Sequence, residues 1–168
     1  MKKLTLTALV LTICLYAIAQ QEKGDGQTQI NLNYTKSGNS DGTFVGIYSY
    51  STFLTKHAEL GASYFLIASS SFTSTTISPF FNFNILSTSG KFVFYLGAKY
   101  DIGSTTFSGN KTGQYGLGGK VGVRLYQTES IFVLIEQAVS NVTSDSGAES
   151  TNFLTTLGFG ILLKKKKA

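Results

Sequence analysis

The chain has a single cysteine, a single histidine and a single proline among its 168 residues, and it has no tryptophan. Because Cys14 lies within the apolar N-terminal run, disulfides and thiolate metal sites are not expected in the rest of the chain. His57 falls in a predicted turn, where a solvated side chain is favoured over a catalytic base or a zinc ligand. The sequence therefore predicts no metal, no cofactor and no enzymatic activity.

The N-terminus has the pattern of a secretory signal peptide. Lys2 and Lys3 precede an apolar run from Leu4 to Ile18, which at about 15 residues is shorter than the ~20 that a membrane-spanning helix needs. The run ends in a small-x-small cleavage site that closes with Ala19. We expect residues 1–19 to be a signal peptide and residues 20–168 to be the exported domain. Acylation at Cys14 is disfavoured because the apolar run continues past it.

Positive charge is concentrated at the two ends of the chain. The formal net charge is +5, but six of the 14 basic residues are the lysines at positions 2, 3 and 164–167, so eight basic residues face nine acidic ones elsewhere. This balance predicts no basic face for nucleic acid. The basic tail, residues 164–168, is expected either to be solvated or to contact anionic lipid head groups.

What the sequence has in abundance is typical of strands and turns. It contains 18 glycines, 13 phenylalanines and nine tyrosines. Two-residue alternation recurs between short polar clusters, and no convincing helical period follows residue 20. Eight strands are predicted, at 27–37, 43–53, 58–69, 75–86, 91–103, 114–127, 130–140 and 151–163. Tight turns are predicted around 54–57, 87–90 and 127–129, and flexible links at 38–42, 69–74, 104–113 and 141–150.

Each predicted strand has one apolar and one polar face, and the orientation of these faces decides the class of protein. In 91–103, Phe92, Phe94 and Leu96 alternate with a face that holds Lys99 and Asp101. A membrane barrel would present the apolar face to lipid, whereas a soluble lipocalin-like carrier would enclose it around an apolar ligand. Charged residues make up only 14% of the chain, which is few for the exterior of a soluble barrel. We therefore favour apolar faces outward and keep the exported carrier as the alternative.

Several short segments carry a family resemblance in their order and spacing. They include Glu59-Leu60-Gly61-Ala62-Ser63-Tyr64, Tyr95-Leu96-Gly97-Ala98-Lys99-Tyr100 and Leu157-Gly158-Phe159-Gly160-Ile161-Leu162. In these the chain resembles the small outer-membrane β-barrels typified by the OmpA membrane domain and OmpX. The resemblance covers the exported domain and implies an eight-stranded antiparallel up-and-down transmembrane barrel with a filled, polar interior. It also implies a cell outer membrane location, contact with outer-membrane lipids and insertion by the outer-membrane assembly machinery. Members of the family typically end on an aromatic residue that this machinery reads, whereas this chain ends with four lysines and Ala168.

The polar faces of the predicted strands hold three acidic and three basic residues. They are Glu59, Lys99, Asp101, Lys120, Arg124 and Glu136. Because an unpaired charge in a nearly dry lumen would cost several kcal/mol, we expect these residues to form an ion-pair network across strands. The predicted role is structural, adhesive or another interaction at the cell surface. The protein is expected to be a monomer, and the sequence does not identify its surface ligand. A narrow pore is a further option if the pairs exchange partners.

Overall fold

The computed structural model describes residues 21–35, 42–87 and 90–165, and these form a closed barrel of eight β-strands. The predicted signal peptide lies outside the described residues, as do the last three residues of the basic tail. Among the described residues, no helix is long and apolar enough to cross a membrane. The strands are β1 Gly26–Thr35, β2 Thr43–Phe53, β3 Ala58–Ala68, β4 Phe72–Leu86, β5 Phe92–Phe107, β6 Asn110–Tyr126, β7 Ile131–Ser144 and β8 Glu149–Leu163.

Each strand pairs with the next one in the chain, and all the pairings are antiparallel. The barrel closes where β1 pairs with β8, in a register that runs from Gly26 opposite Leu163 to Ile30 opposite Phe159. At this seam the side-chain amide of Asn31 donates a hydrogen bond to the backbone carbonyl of Leu157 in β8. The predicted eight-stranded up-and-down barrel is therefore confirmed.

The apolar face of every strand points away from the barrel axis. Residues on β5, β6 and β8 illustrate this, because their apolar side chains are exposed: Phe92 (41%), Leu96 (64%), Val121 (53%) and Ile161 (47%). Charged side chains from the opposite faces are buried inside the barrel. The fold is thus the inverse of a soluble barrel, whose apolar side chains would fill the interior.

The connections differ from the prediction at the end of the barrel away from the termini. Residues 104–113 were expected to form a flexible link, but β5 and β6 continue through this region and join at a two-residue turn. Ser108 and Gly109 both have positive φ, as the tightest hairpin turns require. β4, β7 and β8 also extend beyond their predicted ends at this side of the barrel. The predicted 38–42 link lies mostly outside the described residues.

These differences have a common physical reason. Serine and threonine clusters are typical of loops, and here they occupy strand positions whose inward side chains hydrogen-bond to each other across the ladder. Thr105, for example, donates to Ser74 at 2.9 Å. The three predicted tight turns fall on the opposite side, after strands that end at Phe53, Leu86 and Tyr126. Positions 88 and 89 of the middle turn lie outside the described residues.

The interior is not uniformly polar, which differs from the filled polar lumen that the family resemblance implies. At the end that carries the tight turns, inward side chains form an apolar plug that is almost completely shielded from solvent. The plug consists of Phe53, Val93, Tyr126, Phe132, Leu134 and Leu162, with Leu86 packed against it. Leu154 and Leu162 both interrupt the polar or glycine-rich inward face of β8, and Leu162 does so as part of this plug.

Gly160 makes room for the Phe132 ring in the plug. Gly160 lies directly opposite Phe132 in the β7–β8 register, and a Cβ at this position would overlap the Phe132 ring. Gly119, on the outward face of β6, offers a control, because a Cβ there would meet only the Gly97 carbonyl oxygen at 3.6 Å.

We expect Gly160→Ala to lower the free energy of unfolding by about 1–3 kcal/mol, because overpacking forces the ring out of its site. Gly119→Ala should be neutral or slightly stabilising, since alanine costs less backbone entropy than glycine in a strand. Urea unfolding of the refolded protein in detergent micelles measures both. Equal unfolding midpoints for the two variants would show that the plug tolerates a larger residue.

Candidate functional site: the lumen charge network

All six predicted charged residues lie on the lumen side of the barrel, and the structure brings them together as three ion pairs. Their nitrogen–oxygen distances are 2.9 Å for Lys99–Asp101, 3.1 Å for Lys120–Glu136 and 2.7 Å for Arg124–Glu59. The first pair lies within one strand, the second joins the neighbouring strands β6 and β7, and the third joins β6 to β3 across the lumen. The number of acidic groups equals the number of basic groups, so the network has no net charge.

Arg124 and Glu59 form the deepest pair, and neither side chain has any exposed surface. Four further groups donate to the Glu59 carboxylate at 2.5–3.4 Å; they are the Ser51 hydroxyl and the side-chain amides of Gln27, Asn82 and Asn84. A buried ion pair repays its desolvation only when such additional hydrogen bonds are present. Each carboxylate oxygen of Glu59 is accordingly bonded more than once.

The guanidinium of Arg124 also has several partners, although no hydrogen-bond partner for its buried Nε lies among the described residues. It donates from Nη1 to the Asn84 side-chain oxygen at 3.0 Å and from Nη2 to Glu59 at 2.7 Å. Its central carbon lies 4.4 Å from the centre of the Tyr95 ring, within the range of a cation–π contact. Arginine can combine two hydrogen bonds from separate nitrogens with a cation–π contact through its delocalised guanidinium group, whereas the charge of lysine is a compact ammonium.

The second pair lies next to the first. Lys120 places its ammonium group 3.5 Å from the centre of the Phe80 ring, and its ion-pair partner Glu136 also accepts a hydrogen bond from the Tyr95 hydroxyl at 2.8 Å. Tyr95 thus links the two pairs, because its ring contacts Arg124 and its hydroxyl contacts Glu136. The four charges form one connected network through this tyrosine.

The third pair is the most accessible of the three. Lys99 donates to both carboxylate oxygens of Asp101, at 3.1 and 2.9 Å, and the Ser78 hydroxyl donates to the same carboxylate at 2.6 Å. Together with Lys120 and Glu136, these residues line a cavity of about 570 Å³. The apolar plug and the Arg124–Glu59 pair do not line this cavity.

Glycines opposite the long side chains make room for this network. Across the β5–β6 ladder, Lys99 faces Gly118, Tyr95 faces Gly122 and Lys120 faces Gly97. A Cβ at position 118 would lie 3.1 Å from the Lys99 side chain. Packing inside a narrow barrel therefore explains the inward glycines of the segment from 113 to 122, such as Gly118 and Gly122.

Several polar partners of the network were not singled out from the sequence. Gln27, Ser51, Asn82, Asn84 and Tyr95 each contact one of the charged residues. The available signal was their position, because each lies on the inward face of a predicted strand by two-residue alternation. In the part of the chain that the structure describes, no group of three or more His, Cys, Asp and Glu side chains is arranged to hold a metal ion.

Comparison with solved structures identifies the fold. The N-terminal β-barrel domain of OprF from Pseudomonas aeruginosa matches with a TM-score of 0.61 at 17% identity, covering 86% of this chain and 100% of that one. Neisserial surface protein A matches with a TM-score of 0.60 at 15% identity, covering 84% of this chain and 96% of that one. This chain has the fold of the small outer-membrane β-barrels. No family model and no curated protein sequence matches it.

Removing the cation of the deepest pair should be costly. We expect Arg124→Met to lower the free energy of unfolding by about 3–5 kcal/mol, because Glu59 would remain buried without its counter-charge. The double variant Glu59→Leu with Arg124→Met should recover a large part of this loss. Urea titration in micelles, followed by the gel-mobility shift of the folded form, measures the effect.

The exposed pair Lys164–Glu129 provides the matched control. Its two side chains are 42% and 76% exposed and lie 3.2 Å apart. Lys164→Met should cost less than about 1 kcal/mol, as is usual for solvated surface pairs. The stabilising role of the lumen network would be refuted by equal losses in Arg124→Met and Lys164→Met.

Proposed function

We propose that this chain is an integral protein of the cell outer membrane with a structural or surface-interaction role, and that it does not conduct solutes. The observation that carries this proposal is the apolar exterior of the barrel. Large apolar side chains are exposed on every strand, including Ile30, Tyr48, Leu60, Ile77, Leu96, Leu117, Ile135 and Phe159. An apolar surface that surrounds the whole barrel is unfavourable in water and favourable in hydrocarbon.

The alternative of a soluble apolar-ligand carrier is less well supported. Such a carrier needs an apolar interior and a charged exterior. Here three ion pairs occupy the interior, and Leu96 and Leu117 expose 64% and 70% of their surface. The proposed partners are therefore outer-membrane lipids and the outer-membrane assembly machinery, which the fold would need for insertion.

A structural role is favoured over a pore because two successive layers obstruct the lumen. Phe53 and Phe132 belong to the apolar plug next to the tight turns, and both are buried. The Arg124–Glu59 pair adjoins it, with Arg124 5.9 Å from the Phe132 ring. An ion would have to displace both the plug and the pair to cross the barrel, so exchange of partners among the charged residues alone does not open a path.

Membrane integration can be tested by extraction. We expect the protein to remain in the membrane pellet after a carbonate wash, because the apolar belt is held by hydrocarbon rather than by charge. The folded protein should also migrate faster than its boiled form in a denaturing gel. Release into the supernatant together with a compact band would instead indicate the soluble carrier.

Conductance measurements test the closed lumen. In planar bilayers we expect no stepwise current from the unmodified protein or from Lys120→Ala and Glu136→Ala, because the apolar plug and the Arg124–Glu59 pair stay in place in both variants. A porin reconstituted in parallel shows that the bilayers report channels, and the gel-mobility shift shows that each variant is folded. Discrete current steps from the unmodified protein would establish a pore.

A further inference from the structure

The lumen contains an open cavity that the proposed function does not use. It occupies about 570 Å³ in the half of the barrel beyond the Arg124–Glu59 pair, towards the β3–β4, β5–β6 and β7–β8 hairpins. Pockets for small ligands commonly enclose about 300–1,000 Å³. The cavity is therefore large enough for one small organic molecule.

The lining of the cavity is more apolar on one side than on the other. Ile47 of β2 with Phe65 and Ile67 of β3 form the more apolar side. The facing strands present hydroxyl groups, among them Thr105 and Ser140 on β5 and β7, together with the apolar side chains of Phe72, Val142 and Leu154. A ligand that fills this space must offer both apolar surface and hydrogen-bonding groups.

Charge at the inner end of the cavity restricts the ligand further. Lys99, Asp101, Lys120 and Glu136 all line it, and their two ion pairs carry no net charge. A ligand with a net charge would introduce an uncompensated charge into a partly buried site, which is costly. Hydroxyl groups avoid this cost, since they donate to carboxylates and accept from ammonium groups without disturbing the balance.

We propose that this cavity binds a small uncharged molecule with hydroxyl groups on one side and apolar surface on the other, which is the chemistry of an aryl or alkyl glycoside. The hydroxyl groups lie against Thr105, Ser140 and the ion pairs, and the apolar part lies against Phe65 and Ile67. This inference concerns the cavity alone and does not depend on where the barrel resides.

Phenyl β-D-glucoside is a suitable probe, and phenyl phosphate carries the same ring on an anionic group. Ligand-observed NMR titration of the full folded protein in micelles should show saturable binding of the glucoside, with a dissociation constant at least roughly tenfold lower than that of phenyl phosphate. Absence of saturable glucoside binding would overturn the proposal, as would equal or tighter binding of phenyl phosphate.

Asp101→Asn tests the charge argument while preserving side-chain size. It leaves Lys99 without its counter-charge, so the inner end of the cavity gains a net positive charge, and the preference should shift by roughly tenfold or more towards phenyl phosphate. Glu129→Gln changes the overall charge of the protein equally, but at an exposed pair outside the cavity lining. A shift of the same size in Glu129→Gln would overturn the assignment to the cavity.

Thr105→Val tests the hydroxyl contact without altering charge. It keeps the shape of the side chain and removes a hydroxyl that lines the cavity. Binding of the glucoside should weaken about threefold to tenfold, as expected for a lost hydrogen bond. Unchanged affinity in a folded Thr105→Val protein would refute the hydroxyl contact. Because these assays are performed in micelles, they can fail while carbonate extraction succeeds, and the reverse also holds.

Discussion

The structure depends on compensating the desolvation cost of the buried Arg124–Glu59 ion pair. Both side chains are completely buried, so each charge must be compensated by neighbouring groups that the fold holds in place. Because β6 and β3 are not adjacent, only a closed barrel brings the two residues within 2.7 Å. The pair therefore depends on closure of the barrel. It also favours one register of the strands over its neighbours, since a one-residue slip would turn a charge towards the exterior.

The volume of the lumen explains why β6 has inward glycines opposite the long side chains of β5. An eight-stranded barrel has an interior only wide enough for side chains to fill it. Long side chains therefore need small partners, and the ladder supplies them by placing Gly118 opposite Lys99 and Gly122 opposite Tyr95. The same rule operates in the apolar plug, where Phe132 occupies the space left by Gly160. Glycine here serves close packing more than flexibility, and its density marks where the interior is most crowded.

Two-residue alternation was enough to predict the strand number and to separate the two faces of each strand. The low share of charged residues, 14%, then placed the apolar faces outward and the six charged residues inward. Alternation did not predict which charges would meet, because pairing across the lumen depends on register between strands separated by up to 65 positions in the sequence. It also misjudged the far ends of the strands, since serine and threonine are common in loops as well as in strand ladders. The apolar plug was missed because inward leucines such as Leu162 interrupt an otherwise polar face and look like exceptions when one strand is considered alone.

The side chains that line the barrel interior change along its axis from apolar to charged and then to a mixture of hydroxyl and apolar groups. The end with the tight turns is closed by the apolar plug. A hydrogen bond from the Lys165 backbone amide to the buried Asp25 carboxylate lies at the same end. The middle is neutralised by ion pairs that need a dry environment to be strong. The opposite end is lined by both hydroxyl and apolar side chains, which surround an open cavity. The proposed closure to ions and the proposed ligand binding are therefore compatible, because the layers proposed to obstruct ions lie apart from the cavity proposed to hold a ligand.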